Sequence, residues 1–323
     1  MSAAFAQLSE STSYLDKLLT NARKRLVESS DSENGYTKTV AVSDLTWHRI
    51  GNFGDQVVSV AAAEKTKKAV EEHLQDSSKP EATAPPPFVF STIVFITYED
   101  FYGDPATNWR TPSPIAQKLS DAKLTFTGKA PADPVLAKDF HDSRAKLEKI
   151  FELAKTSVAH TRQGVIITPP GQALCDRKLR FTHRLFEKVE EGDEDDPKFP
   201  PEFKIQQWPV QTEEAIRALA EIKCTHRVIP LQAYDATPEG QIIRPVAYKE
   251  QLRGALAQIK FTLSHWDIRK DRRDVFAADV VHIRILNPPA NYPATPNKKR
   301  MFSAVDTLSG DISPKKARAG PSV

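Results

Sequence analysis

The chain has 323 residues, 40% of them hydrophobic and 27% charged, with a net charge of +3, an ordinary globular composition with room for one large core or two smaller ones. Its 12 glycines and 24 prolines stand against roughly 23 and 16 from average usage, and so few glycines argue against phosphate-cradling loops and the nucleotide enzymes built on them. Two cysteines make no disulfide framework, the N-terminus carries no signal-peptide pattern, and the longest apolar stretch, near Phe88–Ile96, is far below the ~20 residues of a membrane span, so a soluble, intracellular chain without membrane contact is expected.

Residues 2–28 read as a helix. Phe5, Thr12, Leu19 and Leu26 fall seven apart, interleaved with Leu8, Leu15 and Ala22, so the two series fill the a and d positions of a heptad. That stripe fits an amphipathic helix lying on its own core, and equally a coiled-coil seam through which residues 5–26 self-associate. A polar break at 29–35 precedes a short β-like run, Thr37–Val42, and a second helix is predicted over Val60–Leu74, its stripe interrupted by Lys67. The proline- and serine-rich stretch 75–87 reads as a linker without regular structure. Phe88–Tyr98, apolar on both alternations, reads as a strand covered on both faces.

A long helix is predicted to begin at Asp133-Pro134, an N-cap followed by proline at the first helical position. Leu136, Phe140, Leu147, Ile150, Phe151, Ala154 and Val158 form its stripe, His160 reads as a surface residue near its end, and Gly164 stops it. Val165–Ile167 begins a strand. The run RKLRFTHR then interleaves Arg177, Lys178, Arg180, His183 and Arg184 with Phe181, a mixture suited to phosphate contact plus stacking. Residues 187–196, EKVEEGDEDD, hold seven acids against one lysine; such a block repels itself and reads as a disordered loop over 187–198. It divides the body into 31–186 and a β-rich 199–289. A helix over Thr212–Lys223 opens the second part, capped by Thr212 with Glu213 and Glu214 in its first turn.

The clearest alternation runs from Ala257 to His265. Ala257, Ile259, Phe261 and Leu263 point one way, and Gln258, Lys260, Thr262 and Ser264 the other, the mark of a half-buried strand. A charged turn, DIRKDRRD over 267–274, leads to a second run, Val275–Leu286, with Val281, Ile283 and Ile285 set against His282 and Arg284. Antiparallel pairing puts Lys260, His282 and Arg284 on one face, with Trp266 and Phe276 near Arg269, Lys270, Arg272 and Arg273 at the turn. An earlier hairpin is expected from VIPLQAY (228–234) and IIRPV (242–246), whose Pro230 and Pro245 lack ladder donors. Four short strands with one apolar face suggest a sandwich or a partly open barrel of the oligonucleotide-binding kind. In such a barrel, Lys260, Arg284 and the 269–273 turn would track phosphates, while Trp266, Phe276 and Tyr234 serve as stacking platforms.

The segment Val228–Pro289, with IPLQAYD, RGALAQIKFTLSHW and DVFAADVVHIRIL, resembles a recurring segment of uncharacterised proteins from mushroom-forming fungi. That resemblance covers about a fifth of the chain and implies no established activity. The strand–turn–strand rhythm is loosely similar to single-stranded DNA-binding barrels, and no binding residues carry over from it.

Residues 290–323 hold six lysines and arginines against two aspartates, so the remaining chain sums to −1. Without apolar period, this stretch reads as a disordered basic tail. Lys315, Lys316 and Arg318 fit the short basic pattern read by nuclear import receptors, and Lys298, Lys299 and Arg300 fit the first half of a bipartite signal. Thr295-Pro296 and Ser313-Pro314, each with a lysine downstream, match proline-directed phosphorylation sites, where a phosphate would add about −2 beside those lysines.

No P-loop, dinucleotide fingerprint, zincin motif or nucleophile elbow occurs. Cys224 and His226 lack further partners at zinc-site spacing, and Asp193, Asp195 and Asp196 lack a glycine-punctuated loop, so neither metal nor cofactor is expected. The reading is an α+β protein of the nucleus that binds rather than catalyses. Single-stranded DNA or RNA, bound through the strands of 228–286, is the leading partner. A protein–protein module assembling through the N-terminal heptads is the alternative.

Overall fold

The computed structural model describes residues 16–290, apart from 51–53, 81, 108, 110–115, 155, 157–159, 169–172, 174–175 and 191–198. The N-terminal part of the heptad stripe, the acidic residues 191–196 and the basic tail lie outside the described residues.

The class is α+β. A helix over residues 16–28, α1, precedes β1 (Asn34–Tyr36), β2 (Leu45–Ile50), β3 (Gly54–Ser59) and α2 (Val60–Gln75). Then come β4 (Val89–Ile96), β5 (Lys123–Lys129), α3 (Pro134–Ala154), β6 (Thr161–Gln163), β7 (Ile166–Ile167), β8 (Lys178–Arg184) and β9 (Phe186–Lys188). The chain continues through α4 (Glu213–Ile222), β10 (His226–Val228), β11 (Ala233–Tyr234), α5 (Tyr248–Leu252), β12 (Leu256–Ile268) and β13 (Arg273–Asn287).

Five strands close a ring. β4 pairs with β5, β5 with β8, β8 with β13, β13 with β12, and β12 with β4 again. Numbered along the chain as one to five, the ring reads 1-2-3-5-4-1, with β8 and β13 parallel and the other joins antiparallel. This is a Greek-key barrel of the oligonucleotide-binding order. It is thinly closed at two joins, since β4–β5 and β8–β13 share only two and one registered pairs. Because β4, β5 and β8 precede the acidic stretch while β12 and β13 follow it, 31–186 and 199–289 share one core.

The interior is lined by the inward residues of each strand. Phe90, Phe126, Phe181 and Phe261 meet there, with ring centroids 5.3–5.7 Å apart along the chain of contacts. Helix α3 packs against the barrel, burying Phe140, Leu147, Ile150 and Phe151, and Phe151 stacks on Phe276 at 4.3 Å. The helix starts as its sequence requires, with Leu136 N–H donating to Asp133 Oδ1 at 2.8 Å. It ends ten residues before Gly164. That glycine has φ +117°, and a Cβ there would sit 1.8 Å from the Phe276 carbonyl oxygen. Gly164 therefore permits a close backbone approach to β13 rather than stopping a helix.

Other expectations change. Residues 37–41 are turn and loop and Val42 opens a 3-10 turn, so no strand forms there, while β1, β2 and β3 form on either side. The second predicted hairpin collapses to fragments: β10 pairs with β9, β11 runs parallel to β13, and Tyr234 makes an isolated bridge to Ile242. Pro245 supplies no ladder donor and starts a 3-10 turn instead. In β13 the register slips by one beside Lys260, leaving Val281 bulged. Val280, Ala278 and Phe276 therefore follow Ile283 and Ile285 inward, and Val281 leaves the row it was read into. Among the described residues no helix is long and apolar enough to cross a membrane.

Candidate nucleic-acid interface

Lys260, His282 and Arg284 do share one side of the β12–β13 ladder: Lys260 lies opposite His282, and Gln258 opposite Arg284. That side is roofed. His282 is 0% and Arg284 3% exposed, and Tyr234 is buried while stacking on His282 at 5.2 Å. β11 runs beside this stretch of β13, and the loop after it brings the Thr237 carbonyl, to which Arg284 donates. Lys260 is half-buried, and its charge acts on Asp31. His282, Arg284 and Tyr234 thus cannot dock a polymer, because a buried guanidinium needs its partners from the protein itself. Phe276 is no platform either, being 2% exposed on the inward row and stacked on Phe151.

The described part of the heptad stripe is likewise used internally. Leu19, Ala22 and Leu26 pack on Tyr36, Ile93, Leu136 and Leu286, so these positions offer no seam to a second copy.

Cations do reach solvent on the neighbouring wall of the barrel, formed by β5 and β8. In KLTFTGK, Leu124, Phe126 and Gly128 face inward; in KLRFTHR, Leu179, Phe181 and His183 do the same. The alternate residues point away from the barrel interior, and of these Thr127 is covered, 0% exposed and hydrogen-bonded to Thr97. The antiparallel register sets Lys123 opposite Arg184, Thr125 opposite Thr182 and Thr127 opposite Arg180. Lys129, Arg180 and Arg184 are exposed, and Lys123 and Lys178 half-buried. Lys178 reaches Glu99 at 3.5 Å, while Lys123, Lys129, Arg180 and Arg184 pair with no carboxylate among the described residues. Asp279 sits in the same wall, occupied by the hydroxyls of Thr182 at 2.9 Å and Ser264 at 3.0 Å.

Aromatic rings border these cations. Tyr102 bridges to Thr125, and Tyr98 and Tyr102 are each 45% exposed. Arg253 lies 5.7 Å from the Tyr98 ring, Lys129 5.1 Å from Phe95 and Lys123 5.9 Å from Trp266. Trp266 is outward and half-buried, so it remains part of the site, unlike its β13 neighbours. The Lys123–Arg184 end opens into a groove of about 1430 Å³ beside Trp109 and α4.

The other predicted residues divide. Arg177 is engaged by Glu148 on α3 at 2.6 Å. At the β12–β13 turn, Lys270 and Arg272 are exposed, the latter with φ +50°; Arg269 pairs with Asp267 at 2.9 Å and Arg273 with Asp271. Lys123, Lys129, Tyr98, Tyr102 and Arg253 were not among the sequence-derived site residues. A signal existed: β5 and β8 share the pattern K-L-x-F-T-x-K/R, which alternates apolar and cationic residues.

No family model matches this chain, and no curated protein matches it in sequence, so the resemblance to fungal proteins has no further support. Among solved structures the chain is similar to gp2.5, a single-stranded DNA-binding protein encoded by bacteriophage T7, with TM-score 0.34 and 8% identity over 65% of this chain and 98% of that one.

Proposed function

We propose that this protein binds single-stranded nucleic acid without catalysing a reaction on it, along the outer wall of β5 and β8 and towards the β12–β13 turn. One observation carries the reading: Lys123 and Arg184 face each other across the ladder, with Lys129, Lys178 and Arg180 beyond them and exposed Tyr98 and Tyr102 at the edge. Cations spaced along two strands follow a phosphate backbone, and ring faces stack on unpaired bases, each worth about 1–3 kcal/mol. Barrels of this strand order use the second and third strands and the adjoining loops for such ligands. Here those strands are β5 and β8. Unpaired bases are favoured because a duplex hides the faces that Tyr98, Tyr102 and Trp266 would meet.

The test is titration of single-stranded and duplex oligonucleotides at rising salt. Replacing both Lys123 and Arg184 with alanine should weaken single-strand binding roughly tenfold at moderate salt and lower the salt slope by about 1.4, at ~0.7 per lost contact. Lys260→Ala should leave affinity unchanged. A double variant that binds as tightly as the wild type would overturn the proposal.

A further inference from the structure

Beyond the point where Phe151 of α3 stacks on Phe276 of β13, the last inward pair of the β12–β13 hairpin is charged. Asp267 and Asp274 are registered opposite each other, and His160, from the segment between α3 and β6, meets both. His160 Nδ1 lies 3.5 Å from Asp267 Oδ1 and 3.7 Å from Asp274 Oδ1. His160 was read as a surface residue, yet its side chain is only 11% exposed, Asp267 is 13% and Asp274 is 0%.

These separations are too long for good hydrogen bonds. They match a different geometry: two ligand atoms each ~2.1 Å from one tetrahedral ion lie about 3.4 Å apart. One ligand atom from each residue fits within 4.8 Å of the others. Among the described residues Asp267 Oδ1 and Asp274 Oδ2 are buried with no hydrogen-bond partner, which is costly for carboxylate oxygens unless a cation meets them.

The surroundings fix the carboxylate in place. His265 is fully buried, its Nε2 3.0 Å from Asp274 Oδ1 and its Nδ1 3.2 Å from Asp55 Oδ2. Thr156 Oγ1 lies 3.0 Å from Asp274 Oδ1 and 3.2 Å from His160 Nδ1, an oxygen at the edge of the same space. Such outer hydrogen bonds commonly orient the ligands of a metal.

We propose that His160, Asp267 and Asp274 bind one divalent transition-metal ion of the zinc type. An imidazole nitrogen with two carboxylates suits that class, whereas calcium would demand six to eight oxygens. The ion would tie the base of the 269–273 turn to the segment after α3, adding positive charge beside Asp274 and beside Asp267, whose Oδ2 already pairs with Arg269 at 2.9 Å. The site does not depend on the nucleic-acid reading.

Chelator-stripped full-length protein, titrated with Zn²⁺ by calorimetry and with Co²⁺ by visible absorption, tests this. One Zn²⁺ per chain should bind and raise the melting temperature, and Co²⁺ should give the intense bands of a low-symmetry four-coordinate ion. His160→Ala and Asp267→Asn, checked for folding by circular dichroism, should each lower affinity by at least about tenfold. Joint replacement of Asp193, Asp195 and Asp196 by asparagine should change nothing. Absence of saturable binding, binding unaffected by both ligand variants, or loss only in the acidic-stretch variant would each overturn the proposal.

Discussion

His183 shows how burial can set one group's behaviour against its own contacts. Its Nδ1 lies 3.1 Å from the Val280 carbonyl oxygen and its Nε2 2.9 Å from that of Ile229. Two acceptors would favour the doubly protonated ring, but burial in the barrel wall outweighs them and pushes the imidazole below its ordinary range. The folded state therefore prefers neutral histidine, and its contribution to stability is full above the ordinary value of about 6.5 and declines as pH falls through it. Urea unfolding of the wild type and His183→Gln between about pH 7.5 and 5.5 should give a steeper loss in the wild type. Parallel curves would contradict this. Nothing in the run RKLRFTHR distinguishes this histidine from its exposed neighbours except parity, which assigns it to the inward row with Leu179 and Phe181.

Among elements, α1 is held by a device that the heptad pattern does not display. Its apolar stripe lies on the barrel, and Arg23 Nε donates to Asp139 Oδ2 on α3 at 2.6 Å. Lys38 and the Tyr36 hydroxyl, the latter at 2.9 Å, converge on the same carboxylate. Burial alone would raise the Asp139 pKa, but hydrogen bonds from Arg23, Lys38 and Tyr36 more than offset it and hold the group below its usual value. Asp139→Asn should destabilise the fold by about 2–3 kcal/mol at neutral pH, as expected when cations lose a buried partner. Because a depressed carboxylate contributes only above its folded pKa, the gap between wild type and variant should narrow as pH drops below about 4. Guanidinium unfolding at both pH values measures it.

Element types were largely legible. Pro134 and Thr212 marked real helix starts, and the alternation of Ala257–His265 marked a real strand. The bulge at Val281 was not legible, because Ala277 and Ala278 are small enough to suit either face. Nor was the roof over Arg284, since the Thr237 carbonyl arrives through folding of a separate loop.

At the scale of the molecule, charge is divided between two places. Outside residues 290–323 the chain sums to −1, so the proposed polynucleotide affinity would come from the local arrangement of Lys123, Lys129, Arg180 and Arg184 rather than from a general field. That arrangement was only half visible: the cations of β8 were noticed, but β5 lies about fifty residues earlier, and only barrel closure lays one strand against the other. The terminal clusters, Lys298–Arg300 and Lys315–Arg318, are proposed to direct nuclear entry by meeting an import receptor. In the full-length protein, Lys315→Ala, Lys316→Ala and Arg318→Ala together should lower the nuclear fraction of a fluorescent fusion while single-strand affinity stays nearly constant. Glutamate at Thr295 and Ser313 should reduce entry in the same assay; unchanged partition in both would remove the address.

The ring order has a consequence for synthesis. β4 ends at Ile96, and the strand it leans on, β12, starts at Leu256, about 160 residues later. At ~5–20 residues per second, a ribosome needs roughly 8–32 s to deliver that neighbour. Throughout that interval Val89–Ile96, which is almost wholly buried in the finished protein, must wait with one backbone edge open. Newborn chains are thus most vulnerable to sticking together before β12 emerges.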